Sequence, residues 1–288
     1  MRHCGLAGFA SLCALHCAFA EERIEYRYLA GLANPKHWSP AECETAVSAF
    51  RPWEQPAVKM HIPVDFSAGE KQYPIGWPRM YLNLADDETG WQDYDRFEFQ
   101  LFTESSRQTL PKRPVVFHLY DAQGQKKLVP LEGARIGAWT TVSLNLSDLG
   151  LTGPATRLGI NINEADYADK DTLDFHLGGF RLVRALETTV TELKAAAPAV
   201  FCDSRVLPVE LVVEGPPDKL GAGVPFQLRS GSRVVFSQTV PVKRGRQTLY
   251  LPLAGAPLEP GAYALVAHAE APGLRREAAV QITSSPWR

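Results

Sequence analysis

Aromatic rings and neutral polar side chains, more than acids, histidines or thiols, hold the chemical potential of this sequence. Trp77 and Trp91 flank turn-like segments, with Tyr94 and Tyr167 in nearby loops. A ring offers an apolar face on which a flat C–H surface, such as one side of a sugar, can stack. Trp91 and Trp139 also fit packing positions inside a sandwich, so Trp77 is the freer of the candidates. Arg79, Tyr81, Gln100, His118, Asn161 and Asn163 occupy the polar parity of alternating segments. If those segments share one sheet, the six side chains form a face of hydrogen-bond donors and acceptors suited to hydroxyl groups.

Catalytic groupings are missing by the same reading. Glu164 and Asp166 stand two apart and Asp86-Asp87-Glu88 forms an acidic run, but acid/base pairs work across a cleft, and neighbours in sequence read better as surface loop carboxylates. The seven histidines show neither H-x-H nor H-x-x-x-H spacing, so no metal site is expected. A G-x-S-x-G elbow, a P-loop and a G-x-G-x-x-G turn are all absent, and no cofactor is expected. The reading is therefore of a protein that is not an enzyme.

The N-terminus reads as an export signal. Arg2 and His3 precede an apolar run from Cys4 to Cys17, and Ala18-Phe19-Ala20 supplies small-x-small before Glu21. Such a run is shorter than the ~20 residues of a membrane anchor and fits a signal peptide over residues 1–20. The expected location is then secreted or periplasmic, with no membrane span. Cleavage leaves Cys43 and Cys202, a candidate disulfide in an oxidising compartment or else two separate buried thiols. The net charge of -2, with no basic run, argues against a nucleic-acid partner.

The elements that must position these residues are strands. Val58/Met60/Ile62/Val64, Phe97/Phe99/Leu101, Val115/Phe117/Leu119, Val142/Leu144/Leu146 and Leu158/Ile160/Ile162 alternate mostly with polar residues. Leu173, Phe175 and Leu177 share one phase and Phe180 and Leu182 the other, which predicts a β-bulge at Gly178-Gly179. In residues 185–198, Leu186, Val190, Leu193 and Ala197 fall at helical spacing, with Thr189 to Glu192 resembling a capping box. This predicts a helical linker over residues 185–204. A second strand series fills residues 205–288, from Val209/Leu211/Val213 to Val280/Ile282, at a spacing that fits an immunoglobulin-like sandwich. The expected fold class is all-β: a jelly-roll sandwich over residues 21–184, the linker, and a smaller Ig-like sandwich.

Residues 21–184 resemble the galactose-binding-like jelly rolls that serve as carbohydrate-binding modules beside bacterial polysaccharide-degrading enzymes. The resemblance is carried, in order, by Ala57-Val-Lys-Met-His-Ile-Pro-Val-Asp65, Tyr73-Pro-Ile-Gly-Trp-Pro-Arg79, Trp91-Gln-Asp-Tyr-Asp-Arg-Phe-Glu-Phe99, Trp139 to Asp148, and Phe175-His-Leu-Gly-Gly-Phe-Arg-Leu182. Such modules often place a carboxylate for structural calcium where Gly178-Gly179 stands here, so the usual ion is in doubt. The residues after the linker look like the Ig-like modules of large secreted bacterial proteins. The resemblance implies a non-catalytic carbohydrate-binding protein, with a polysaccharide or oligosaccharide as ligand and a glycoside hydrolase or envelope protein as possible partner. A neutral or weakly charged polysaccharide is the expected ligand. The alternative is a structural or adhesive envelope protein that binds another protein through its sandwiches.

Overall fold

A computed structural model describes residues 23–67, 76–253, 255 and 258–286. The export signal and its cleavage site lie outside them. The first sandwich is built from β1 (Ile24–Tyr28), β2 (Trp38–Ala41), β3 (Glu44–Val47), β4 (Ala57–Pro63), β5 (Arg79–Asn83), β6 (Arg96–Ser105), β7 (Val116–Asp121), β8 (Lys126–Pro130), β9 (Trp139–Asn145), β10 (Ala155–Asn161) and β11 (Thr172–Ala185). Sheet I has the order β3-β4-β11-β6-β9, with β1 also paired to β11; sheet II has the order β2-β5-β10-β7-β8. From β4 to β11 the chain crosses between the sheets at every step except β7 to β8, which is the winding of a jelly roll.

Alternation is what drives this winding. Met60, Phe97, Phe99 and Phe175 from sheet I meet Met80, Phe117, Leu158 and Ile160 from sheet II in one buried core. Alternate residues of the central strands therefore leave water, at roughly 25 cal/mol per Å² of apolar surface buried. The centroids of Phe97 and Phe117 lie 5.6 Å apart across the two sheets, and Trp91 packs 4.5 Å from Phe97.

The bulge expected at Gly178-Gly179 is present. The β11–β6 register shifts between Gly178 and Arg181, and Gly179 has φ +63°. Both glycines are also close approaches. A Cβ on Gly178 would stand 2.5 Å from the Ala57 Cβ, and one on Gly179 would stand 2.7 Å from Trp53 Cε3. Phe180 and Leu182 thereby return to the core face after the phase change.

The second sandwich comprises β12 (Thr189–Ala195), β13 (Val200–Phe201), β14 (Val206–Glu214), β15 (Val224–Ser230), β16 (Arg233–Val240), β17 (Gly245–Pro252), β18 (Gly261–Ala267) and β19 (Arg276–Thr283). Its sheets run β12-β14-β17 and β13-β19-β18-β15-β16, with β13 parallel to β19 and the other pairs antiparallel. The chain's first edge is thus shared between the two sheets, an immunoglobulin-like order.

The predicted linker helix is corrected here. Thr189–Ala195 is a strand paired to β14, and Val190 is buried in the second core. The three-residue step from Val190 to Leu193 comes from a register shift between Val190 and Glu192. A bulge, not a helical turn, made the spacing look helical. Residues from Thr189 onward consequently belong to the second sandwich.

The candidate disulfide is also corrected. Cys43 and Cys202 are both free. Cys43 packs against the first core and Cys202 against the second, so the chain places them in different sandwiches. The Cys43 thiol lies against the Arg79 carbonyl at 3.2 Å, and burial pushes its pKa up to about 11. It is an inert packing group.

A buried polar seam joins the two bodies. Asp95 accepts from the backbone N–H groups of Ala185 and Gly215 and from Arg244 Nε at 2.7 Å. Arg96 lies 3.1 Å from Glu98 and 3.2 Å from Glu214. Burial raises the Glu214 carboxyl to about 7, with Arg96 opposing the shift.

Candidate functional site

The outer face of sheet II brings most of the sequence candidates together. Register places Tyr81 opposite Gly159, Gly159 opposite His118 and His118 opposite Leu128. The row on one side reads Arg79, Asn161, Val116, and the row on the other reads Asn83, Arg157, Tyr120, Lys126. These positions alternate with Met80, Leu82, Phe117, Leu119, Leu158 and Ile160, which fill the core, so burying one parity obliges the other to face outward.

Gly159 explains how the rings lie. A Cβ there would meet Tyr81 Cε1 at 2.5 Å and the His118 Cβ at 3.2 Å, so only glycine lets the tyrosine ring cross the strand. Tyr81 then sits 6.0 Å from His118 and 6.3 Å from Tyr120, centroid to centroid. The Arg157 guanidinium stacks 4.1 Å over Tyr81 and 5.6 Å from the centre of Tyr120.

Trp77 closes one end of this face and is 42% exposed. Its backbone N–H donates to the Glu42 carboxylate, and the N–H of Gly76 donates to Glu164 at 2.6 Å. Arg79 donates to the Trp77 carbonyl at 3.0 Å while its guanidinium lies 4.7 Å over the indole. Lys126 reaches the same ring at 5.8 Å and Tyr120 at 5.7 Å. The indole is thus held at the backbone and from one side, with part of its surface left open.

Polar groups lie beneath the rings. His118 and Asn161 are buried and share a side-chain hydrogen bond, and Arg157 Nε is buried without a hydrogen-bond partner. Burial, and then Lys126, push the His118 imidazole down to about 4, so it is neutral at pH 7 and can both donate and accept. Beside Tyr81 the face deepens into a cleft of about 340 Å³ lined by His37, Ser39, Tyr81, Asn83, Leu84, Ala85 and Arg157.

Three candidates belong elsewhere. Trp91 is fully buried, donates to the Glu88 carbonyl and packs on Phe97, so it belongs to the core and not to this face. Gln100 stands on β6 in sheet I, buried and donating to Thr141 at 2.8 Å, so the six polar candidates do not share one sheet. Asn163 is exposed past the end of β10. Tyr94 and Tyr167 are buried too, the latter donating to the Pro114 carbonyl. Trp139 is half-buried against Phe50 and Phe102. Glu164 is no surface acid: it is buried and accepts the N–H groups of Asp65 and Gly76, tying the loop before β5. The sequence reading missed Tyr120, Lys126, Arg157 and Gly159. The lone glycine of Leu158-Gly159-Ile160, at an outward strand position, was the signal for a close approach there.

Sheet I carries two further clusters on its outer side. Glu104, Asp174 and His176 bring ligand-type atoms within 4.8 Å of one another. Each is already engaged: His176 Nε2 with Glu104 at 2.8 Å and Nδ1 with Ser48, Asp174 with His61 at 2.6 Å and with Lys59. With an ammonium on one carboxylate, the set is a hydrogen-bonded network that opposes a further cation. Arg181 lies 3.8 Å from Trp53 and 4.1 Å from Tyr26, and Glu98 binds it in turn.

No protein-family model matches the chain. No curated protein matches it either. Among solved structures, a β-1,2-glucanase from Parabacteroides distasonis aligns over 91% of this chain and 37% of its own at 14% identity and TM-score 0.36. The carbohydrate-binding module TmCBM27, described for mannan recognition, aligns over 56% of this chain and 98% of its own at 11% identity and TM-score 0.31. The adhesin domain of Epf from Streptococcus pyogenes aligns over 84% and 80% at 9% identity and TM-score 0.24. This chain spans little more than a third of the glucanase. At such distances no property of those proteins transfers to it.

Proposed function

We propose that this is an exported, non-catalytic carbohydrate-binding protein that holds a glycan on the outer face of sheet II. The observation that supports the reading best is the arrangement of Trp77, Tyr81 and Tyr120 around His118, Asn161 and Arg157 on one open face. Rings supply stacking area, and the polar groups of Arg79, Asn83, Arg157 and Lys126 beside them supply hydrogen bonds of the kind hydroxyls need. None of the outward strand positions on this face is a carboxylate, which favours holding a sugar over cleaving it. The galactose-binding-like resemblance of residues 21–184 and the signal-like N-terminus agree with this role.

A glycan array followed by affinity electrophoresis tests it. Stacking and a few hydrogen bonds at an open face give modest affinity, on the order of 10 µM to 1 mM. Trp77→Ala should abolish retardation while leaving the melting temperature within about 2 °C of the parent, since the indole is 42% exposed. Silence across a broad plant, algal and microbial panel would remove the sugar reading in favour of the adhesive one. Released reducing sugar would show an enzyme.

A further inference from the structure

We infer that the glycan held by sheet II is anionic, carrying carboxylate or sulfate groups, and not neutral. This rests on the reading just given and narrows its ligand class. The charge pattern on the two sheets carries the argument. On sheet I the outward cations are paired: Arg181 with Glu98, Lys59 with Asp174, and Arg184 with Glu25. On sheet II, Arg79, Lys126 and Arg157 have no carboxylate within 4.0 Å among the described residues. All three lie over rings instead.

Two carboxylates stand at the Trp77 end of the face, each bonded to backbone. Glu42 takes the N–H of Trp77, and the buried Glu164 takes those of Gly76 and Asp65. Neither forms an ion pair within 4.0 Å with Arg79, Lys126 or Arg157 among the described residues. Ring faces attract cations but do not neutralise them, so the three charges remain available across the face. Arg157 is the most telling. Its Cζ lies 4.1 Å from the centre of the Tyr81 ring, which covers one side of the guanidinium. A guanidinium lying over a ring can still offer its two terminal amino groups, and that fork matches a carboxylate or two oxygens of a sulfate. Lys126, near both Trp77 and Tyr120, adds a point charge between the two ends of the face. A sugar stacked there brings its substituents to the rims, where these cations stand.

Matched polymers isolate the charge. Polygalacturonate and its carboxyl-reduced product share a backbone, as do a sulfated carrageenan and its desulfated form. Titration calorimetry with the full chain should show each acidic polymer binding about tenfold or more tighter than its neutralised partner. Which acidic polymer wins assigns carboxylate or sulfate. Arg157→Gln and Lys126→Gln should each lose about tenfold for the acidic polymer, with the melting temperature unchanged. Binding should weaken as salt rises. If the neutralised polymers bind as tightly as their parents, the anion inference is wrong and the sugar reading stands. If no polymer of either kind binds, both fail. If Trp77→Ala retains full acidic-polymer affinity, adsorption of a polyanion to basic side chains replaces a stacked glycan, which also overturns the inference.

Discussion

Two glycines carry the sharpest tests at the scale of single residues. Gly159→Ala puts a methyl where Tyr81 lies, and the clash at 2.5 Å falls on the side of a movable ring. The ring should swing away, so we expect glycan affinity to drop by about tenfold while the protein stays folded; calorimetric titration beside a melting curve checks both. Gly179→Ala is a backbone matter. Its φ of +63° and the approach to Trp53 should cost on the order of 1 to 2 kcal/mol, read as a lower urea midpoint with an unchanged slope. An unaltered midpoint would mean that the bulge tolerates a side chain. His118 supplies a pH test. Its pKa falls from 6.5 to about 4 on folding, so the unfolded chain takes up a proton that the native state refuses between those values. Stability therefore declines on acidification across that window, by up to about 1.4 kcal/mol per pH unit, and is unaffected by this group above it. His268 acts with the same sign and Glu214 with the opposite one, so the comparison is between the parent and His118→Gln. The variant's stability should fall less steeply between pH 6.5 and 4 in denaturant titrations.

At the scale of elements, alternation made most strands legible. Phe97/Phe99/Leu101 and Leu158/Ile160/Ile162 face the core as the pattern demands, and the phase change at Gly178-Gly179 is the bulge it suggested. The same device misled the reading at Thr189–Ala195, where a bulge after Val190 mimics a helical step and no glycine marks it. Parity gave the direction of Arg79, Tyr81, His118 and Asn161, but not the sheet. Gln100 has the right parity on β6, and β6 pairs with β11 instead of β10 because a jelly roll sends successive strands to opposite sheets. Sheet membership is a long-range property that local periodicity does not encode. Burial of Trp91 had the same origin, since its place depends on Phe97 and Phe117 meeting across the sandwich. The His61, Glu104, Asp174 and His176 network likewise exists only through the pairing of β4, β11 and β6.

For the whole molecule, the seam between the sandwiches sets how independent they are. The first core closes by Leu182, so a chain ending at Leu186 should fold and melt cooperatively. It would lack Gly215 and Arg244, leaving the buried Asp95 carboxylate with only the Ala185 N–H from the seam. We therefore expect its melting temperature to lie several degrees below that of the full chain, with Asp95→Asn recovering part of the difference in the short form. A short form that does not fold would make the sandwiches one cooperative unit. The face on sheet II lies on the first sandwich alone, so that shorter chain should keep its ligand. The measurement closest to the central claim is affinity electrophoresis of the full chain and Trp77→Ala through gels containing individual polysaccharides. The account predicts retardation of the parent by at least one polysaccharide and its loss in the variant, with no reducing sugar released. Equal migration of parent and variant in every gel would contradict it.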